Sequence, residues 1–419
     1  MKKVVWIINH YAGDTFFNKG GRHYWIAKYL KKSGYEPVVF CCNNKHNPGN
    51  EAWFDTNALS VERIAEDIGV PYVFVKGRRY TGNGKQRILN MYDFYRNILK
   101  VTRSYAEKNG CPDIVYSSSV HPLSLVAGNK IARRYGVKSI CEVRDLWPES
   151  LVAYGLLRES SLLAKALYAG EKRIYKRADL VIMTWPGGYD YIIDKGWEKE
   201  IPRKKVKHIS NGVDLDEYLI NMKMHKNQQK TYENCREIRC VYTGSIRKVN
   251  NIGMLIEAAE ILKERGVDNI RLFIFGAGDE RDELEAKVKE KSIENVSFMG
   301  LVPKAEIPDI LSKADINILH NRSTSLDKYG QSQNKLFEYL ASGRPVLMTY
   351  KVGHSIIREE KCGIEVEKQS PETIADAIQL FFSLPDKEIE NYRKRAFQCA
   401  AKYDFKKLTG ELVNIIEEI

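Results

Sequence analysis

The sequence predicts an α/β protein built from two Rossmann-like, doubly wound domains that face each other across a cleft. Three observations lead there. The chain has 419 residues, more than one core usually serves, since domains run about 100–200 residues. Its first half alternates short apolar runs with helical stretches, the pattern of a parallel sheet covered on both faces. After the polar segment 222–237 the same alternation starts again. The first domain is therefore set at residues 1–207 and the second at 208–402.

In the first domain, Val4–Ile8 is a short apolar run ending at Asn9-His10, which reads as a buried first strand and not as the core of a signal peptide. Gly20-Gly21 then opens a helix over Arg22–Lys32 that stops at Gly34. Strands are expected at Pro37–Cys41, Tyr72–Val75, Asp113–Tyr116, Lys138–Val143 and Asp179–Met183, with helices at His121–Tyr135 and Leu162–Arg177. In the second domain the strands are Arg239–Thr243, Arg271–Phe275, Val296–Gly300, Ile316–Leu319 and Val346–Thr349. Its helices are Gly253–Arg265, Asp279–Lys291, Lys304–Lys313 and Pro371–Leu384. Residues 403–419 form a last amphipathic helix with Phe405, Leu408, Leu412, Ile415, Ile416 and Ile419 on one face, expected to pack back on the first domain. Doubly wound sheets bind ligands beyond the carboxyl ends of their strands, so the cleft between two of them is the expected site.

Bulk properties narrow the class. No segment approaches the roughly 18–20 consecutive apolar residues of a membrane span. The eight cysteines form no C-x-x-C pair and no zinc spacing, which points to reduced, cytosolic thiols. A formal charge of +12 and a pI near 9.1 argue for an acidic partner: nucleic acid, an anionic membrane or phosphorylated small molecules.

The segment most suggestive of chemistry is Ser332-Gln333-Asn334-Lys335-Leu-Phe-Glu338, which reads as a polar loop and a short helix, followed by a stop at Gly343 and the Val346 strand. Ser332 is the expected N-cap. A helix start presents free N–H groups and partial positive charge, so it suits a diphosphate. Lys335 in the first turn is unfavourable for the helix itself and sensible if an anion binds there. Glu338, three residues on, lies on the same face and can accept hydrogen bonds from ribose hydroxyls. On spacing alone, an ordinary surface helix with one lysine and one glutamate stands as the alternative.

Further motifs follow in order: Gly20-Gly21 after the first strand, His121-Pro122 after another, Ile209-Ser-Asn-Gly-Val-Asp214 at the domain junction, Tyr242-Thr-Gly244, Phe275-Gly-Ala-Gly-Asp-Glu280, Asn295-Val-Ser-Phe-Met-Gly300 and Phe337-Glu-Tyr-Leu-Ala-Ser-Gly-Arg-Pro345. In this order, over nearly the whole chain, they resemble the glycosyltransferases of the GT-B fold, family 4, of the retaining class. Glu142-Val-Arg-Asp-Leu-Trp-Pro-Glu-Ser150 further resembles the branch that builds bacterial capsule, O-antigen and exopolysaccharide chains. The resemblance implies transfer of a sugar from a nucleoside-diphosphate donor with retained anomeric configuration, no cofactor and no required metal. Protein groups must then neutralise the diphosphate leaving group. Two departures from the family pattern stand out. The usual Glu eight residues before Glu338 is Gly330. The usual Arg and Lys after Gly244 are Ser245 and Asn250 or Asn251, with Arg247 and Lys248 between them, so Arg247, Lys335 and Lys248 are the candidate replacements.

Each remaining candidate has a functional and a plain reading. Gly20 and Gly21 let backbone approach a phosphate or sugar, or make a tight turn. His121 is placed by the resemblance against the donor sugar; a lone histidine is otherwise structural. Arg144, Asp145 and Glu149 bind the acceptor or form caps and a salt bridge. Gly276 and Gly278 bring backbone donors near the nucleotide, as does Gly244, or punctuate strand ends. The third glycine of a dinucleotide fingerprint is missing, against an NAD enzyme. Asp214-Leu-Asp216 reads as a helix cap and not a metal site. The basic, aromatic-rich stretch 87–105 carries an apolar stripe (Ile88, Met91, Tyr92, Tyr95, Ile98, Leu99) and a cationic face (Arg96, Lys100, Arg103). It either docks on an anionic inner membrane or packs on the first domain with its cations solvated.

The expected activity is sugar transfer from a nucleotide-sugar donor, with UDP-sugars favoured and an N-acetylated amino sugar among the options. The expected acceptor is a lipid-linked (polyprenyl-diphosphate) glycan in bacterial surface polysaccharide synthesis, and the expected location is cytoplasmic, peripheral on the inner face of the plasma membrane. The rivals are a nucleotide-sugar epimerase of the same fold, a non-catalytic nucleotide-sugar-binding protein, and a nucleic-acid binder supported by net charge alone.

Overall fold

The computed structural model describes residues 2–45, 51–82, 84–119 and 121–419. The chain separates into two compact units: Met1–Ser210 with Phe405–Ile419, and Asn211–Asp404.

The first unit holds strands β1 (Val4–Ile8), β2 (Glu36–Cys42), β3 (Ser60–Ala65), β4 (Val70–Val75), β5 (Ile114–Ser118), β6 (Lys138–Val143), β7 (Leu180–Met183) and β8 (Val206–His208). They form one sheet in the order β3-β4-β2-β1-β5-β6-β7-β8. Every described pairing is parallel except β3 with β4. The central strands are buried on both faces, which is why they read as unbroken apolar runs. The edge strand β3 was not expected, because Glu62, Arg63 and Ile64 are exposed and leave no apolar alternation. The charges on it suit an edge that must not recruit another strand.

Helices Arg22–Lys32, Lys85–Asn109, Pro122–Tyr135 and Leu162–Arg177 cover this sheet. Helix Lys85–Asn109 buries Phe94, Ile98, Val101 and Tyr105 against Trp6, Phe40 and Val115. Only Ile98 of the expected apolar stripe is fully buried; Ile88 and Tyr92 remain exposed at 62% and 47%. The terminal helix Phe405–Glu417 packs on helix Arg22–Lys32 within this unit, burying Phe405, Leu408, Leu412, Ile415 and Ile416. Exposed pairs Lys3–Glu417 (2.8 Å) and Lys207–Glu418 (2.9 Å) flank it; the apolar face supplies the stability, since such pairs contribute little.

The second unit holds β9 (Ile238–Thr243), β10 (Ile270–Phe275), β11 (Val296–Gly300), β12 (Ile316–Leu319), β13 (Val346–Met348) and β14 (Gly363–Glu365), in the order β11-β10-β9-β12-β13-β14, all parallel. One sheet face packs on helix Asn334–Ala341 and helix Asp386–Ala400, the other on helices Ile252–Glu264 and Pro371–Ser383. The segment expected to be a polar connection contains the end of helix Leu215–Met224, capped by the Asp214 side chain accepting from the Glu217 N–H at 3.0 Å. The two layers of helices on a parallel sheet recur in both units, and the switch from β9 to β12 puts the helix bearing Lys335 at the middle of the second sheet.

Leu412 is 1% exposed on the terminal helix. Leu412→Ala should cost about 2–5 kcal/mol of stability in the first unit, read as a lowered denaturant midpoint in chemical unfolding.

Candidate functional site

In the second unit, the carboxyl ends of β9 and β12 meet the start of helix Asn334–Ala341 at Lys335. The expected cap is displaced: Gln333 occupies the N-cap position and no side chain caps the helix. Ser332 cannot serve, because its hydroxyl accepts from the Asn211 N–H at 2.8 Å and its carbonyl accepts from the Asn211 side-chain amide. The junction motif thus anchors the loop before the helix, and the first-turn N–H groups keep no side-chain acceptor. Gln333 and Gln331 both turn their amide nitrogens to the Tyr350 hydroxyl, and their side-chain oxygens are buried with no partner.

Lys335 is half-buried. Its Nζ donates to the Tyr242 hydroxyl (3.4 Å) and the His320 carbonyl (3.3 Å) and lies 4.6 Å from the Tyr242 ring centroid. No carboxylate pairs with it among the described residues. Burial of the charged form pushes its pKa from 10.5 down to about 7. The carboxylate of Glu338, also half-buried, accepts no hydrogen bond among the described residues, and burial raises its pKa while Lys304 opposes the rise. An under-solvated cation and an under-used acceptor therefore sit one helical turn apart, complementary to a diphosphate and a diol. Asn334 is exposed at the helix start.

The glycines of this unit have a structural explanation. A Cβ on Gly276 would lie 1.8 Å from the Gly244 carbonyl oxygen, and one on Gly278 would lie 1.9 Å from that of Ile246. Close packing of these two loops requires both glycines. The expectation that they bring backbone donors to a nucleotide is corrected for two N–H groups: Gly244 donates to Phe275 O and Gly276 to Gly300 O, so both are already spent. Arg247 and Lys248 are exposed beyond Gly244 and unpaired with any carboxylate among the described residues. Gly330 adopts φ 89°, ψ −169°, a conformation essentially restricted to glycine. A glutamate there would be strained, which accounts for its absence.

In the first unit, Gly21 is the N-cap of helix Arg22–Lys32, and Gly20 donates its N–H to Thr15 O at 3.2 Å. The next residue, Arg22, is buried against Glu142 at 2.6 Å and donates to the carbonyls of Ser210 and Ile209. Tyr116 and Ser118 hydroxyls also donate to Glu142. Burial opposes its charge, but the Arg22 guanidinium and, after it, His23 hold Glu142 well below the usual carboxylate range. Sequence reasoning missed this network because its members are far apart in the chain.

His121 is the extended N-cap of helix Pro122–Tyr135, with Pro122 at N1. It is 1% exposed. Its Nε2 lies 3.0 Å from His10 Nδ1, and His10 Nε2 lies 2.8 Å from Asn90 Oδ1. Burial, with a smaller contribution from Arg87, pushes its pKa to about 3. His121 also lines a small cavity with Asp145, Trp147 and Glu171. The buried Glu171 is raised to about 8 by desolvation, against the Tyr175 and Tyr191 hydroxyls that donate to it at 2.7 Å. Of the acceptor-side candidates, Glu149 is committed to an ion pair with Lys195 (2.5 Å) and to the Tyr168 hydroxyl (2.7 Å), the salt-bridge reading. Arg144 is half-buried with its Nε lacking a partner, and Asp145 is exposed.

Residues 24–217 match the family described as Glycosyltransferase Family 4, and residues 237–383 the family described as Glycosyl transferases group 1. The fold is GT-B, and the two matches support a glycosyltransferase of the family 4 type. A D-inositol 3-phosphate glycosyltransferase of Corynebacterium urealyticum is 24% identical over a stretch covering 59% of this chain and 59% of its own, so the match spans less than two thirds of that relative. A sucrose-phosphate synthase from Thermosynechococcus elongatus superposes with a TM-score of 0.70 at 16% identity, over 100% of this chain and 99% of its own. The Anabaena protein HepE, solved in complex with UDP, gives 0.68 at 15% identity over 100% of both chains. At such identities the structural likeness speaks for the GT-B fold.

Between about pH 7 and 10.5, the unfolded chain holds on Lys335 a proton that the folded protein has released. Stability therefore rises with pH across this window and the full penalty applies below it. Lys335→Met removes the penalty. The ligand-free variant should melt above wild type at pH 7, with the gap closing toward pH 10.5; a gap independent of pH contradicts the burial of a titrating ammonium.

Proposed function

We propose that this chain is a retaining, metal-independent glycosyltransferase that takes a sugar from a nucleoside-diphosphate donor, a UDP-sugar by preference. The observation that carries the reading is the Lys335–Glu338 pair at the carboxyl end of the second sheet. Lys335, with the uncapped helix start and the exposed Arg247, neutralises the charge that develops on the diphosphate leaving group. Glu338 accepts from the ribose diol. Because protein cations supply this neutralisation, the step needs no metal. His121 contacts a hydroxyl of the donor sugar. Support for the donor class comes from HepE, which has been solved with UDP and with UDP-glucose.

The proposed acceptor is a lipid-linked glycan in surface polysaccharide synthesis, reached from an anionic membrane surface. Support comes from helix Lys85–Asn109, where Arg96, Lys100 and Arg103, with Arg134 beside them, line an open groove and are paired with no carboxylate among the described residues. Ile88 and Tyr92 stay exposed on the same helix. Near an anionic surface each such cation contributes about 1 kcal/mol, and the exposed apolar side chains suit the interface. No helix among the described residues is long and apolar enough to cross a membrane. A second reading, a small phosphorylated acceptor, is favoured by the inositol-phosphate and sucrose-phosphate enzymes among the similar proteins; the same groove cations would suit that phosphate.

Glu338→Ala and Lys335→Ala should each lower kcat/KM for donor about tenfold or more, since each removes a hydrogen bond involving a charged group. Steady-state kinetics on a nucleotide-sugar panel, with NMR of the product anomer, checks both the pair and the stereochemistry. Wild-type rates in both folded variants would contradict the assignment.

A further inference from the structure

Asn90, His10 and His121 form a buried line in the first unit, and its hydrogen-bond direction can be worked out from one end. Asn90 Nδ2 donates to the Arg78 carbonyl (2.6 Å) and to Asn44 Oδ1 (3.2 Å). A carbonyl only accepts, so the amide orientation is set and Oδ1 is the atom facing His10 Nε2 at 2.8 Å. His10 Nε2 therefore carries the proton. A neutral imidazole has one N–H, so His10 Nδ1 is a lone pair and His121 Nε2, 3.0 Å away, donates to it. The Ser124 hydroxyl, at 3.5 Å from the same nitrogen, is at the limit of a hydrogen bond and does not alter the direction. The last atom of the line, His121 Nδ1, is then a proton-free acceptor, buried and with no partner of its own.

We propose that Asn90 and His10 are positioning residues that hold His121 as its Nε2–H tautomer, so that Nδ1 accepts a hydrogen bond from a hydroxyl of the bound sugar. The proposal rests on the reading of the chain as a sugar transferase. Three consequences follow from the geometry. The imidazole cannot donate through Nδ1, so it selects a hydroxyl and rejects a group that can only accept, such as an ether oxygen or a fluorine. The ring needs no proton exchange during turnover. The buried lone pair loses its orphan status only when a ligand hydroxyl arrives, which favours bound over free sugar.

Nitrogen-15 NMR of the full-length, histidine-labelled protein reads the tautomer directly. The chain has eight histidines, and His121→Gln identifies the His121 signals. The expected wild-type spectrum shows His121 neutral, with Nε2 protonated and Nδ1 bare. Asn90→Leu and His10→Phe should each mix the tautomers and lower kcat/KM about tenfold. His10→Asn, whose Oδ1 takes the place of the lost Nδ1 acceptor, should restore the Nε2–H form and most of the rate. A wild-type His121 protonated at Nδ1 overturns the proposal, and so does His10→Phe with unchanged tautomer and rate. If a variant fails to fold, the wild-type spectrum still decides. A correct tautomer in a protein that transfers no sugar overturns the functional reading instead, so the two failures are distinguishable.

Discussion

Lys335 Nζ rests at the carboxyl end of β9 with a phenol hydroxyl, a carbonyl oxygen and an aromatic face as its surroundings. Much of the second unit is arranged to hold it there. Tyr242, the penultimate residue of β9, supplies both the ring and the hydroxyl. The loop after β9 is pressed by the loop after β10 through glycines that admit no side chain. The helix bearing Lys335 is tethered at its start by Ser332 and Asn211 and packed beneath by Leu336, Phe337 and Leu340. Desolvating a cation without a counter-charge is unfavourable, and no carboxylate pairs with Lys335 among the described residues. An anionic ligand reverses the balance, because the same low-dielectric surroundings that penalise the lone ammonium strengthen its attraction to a diphosphate.

The first unit treats its buried polar groups differently. Glu142 is surrounded by Arg22, Tyr116 and Ser118, so its charge is satisfied and its position rigid. Arg22 passes that rigidity to the carbonyls of Ile209 and Ser210, where the chain leaves the unit. His121 is the contrast, held by one nitrogen and buried without a partner at the other.

Most of the fold could be read from the sequence, because parallel strands buried on both faces appear as continuous apolar runs. β3 could not, since its exposed charges erase the alternation, and neither could β8, a strand of three residues. In the site, Lys335 was legible from its place in the first turn of a helix after a polar loop, and Glu338 from lying three residues on, on the same face. The cap was misassigned because Ser332 is bonded by Asn211, 121 residues earlier. His10 and Asn90 carried no local signal: their contacts span 111 and 80 residues, and each alone looks like an ordinary core polar residue. The substitution of Gly330 for the family's glutamate was visible in sequence, but its reason, a backbone conformation that only glycine holds comfortably, needed the dihedral angles.

The claim on which the account turns is that Lys335 exists to meet a diphosphate. Its ammonium is about half deprotonated near pH 7 in the free protein, and an anion beside it raises its pKa. Calorimetric titration of the full-length protein with UDP at about pH 8, in two buffers of different ionisation heat, measures the protons taken up on binding. The account predicts uptake approaching one proton per site in wild type, lost together with most of the affinity in Lys335→Met. Binding of UDP with no proton uptake, or with affinity unchanged in Lys335→Met, would contradict it.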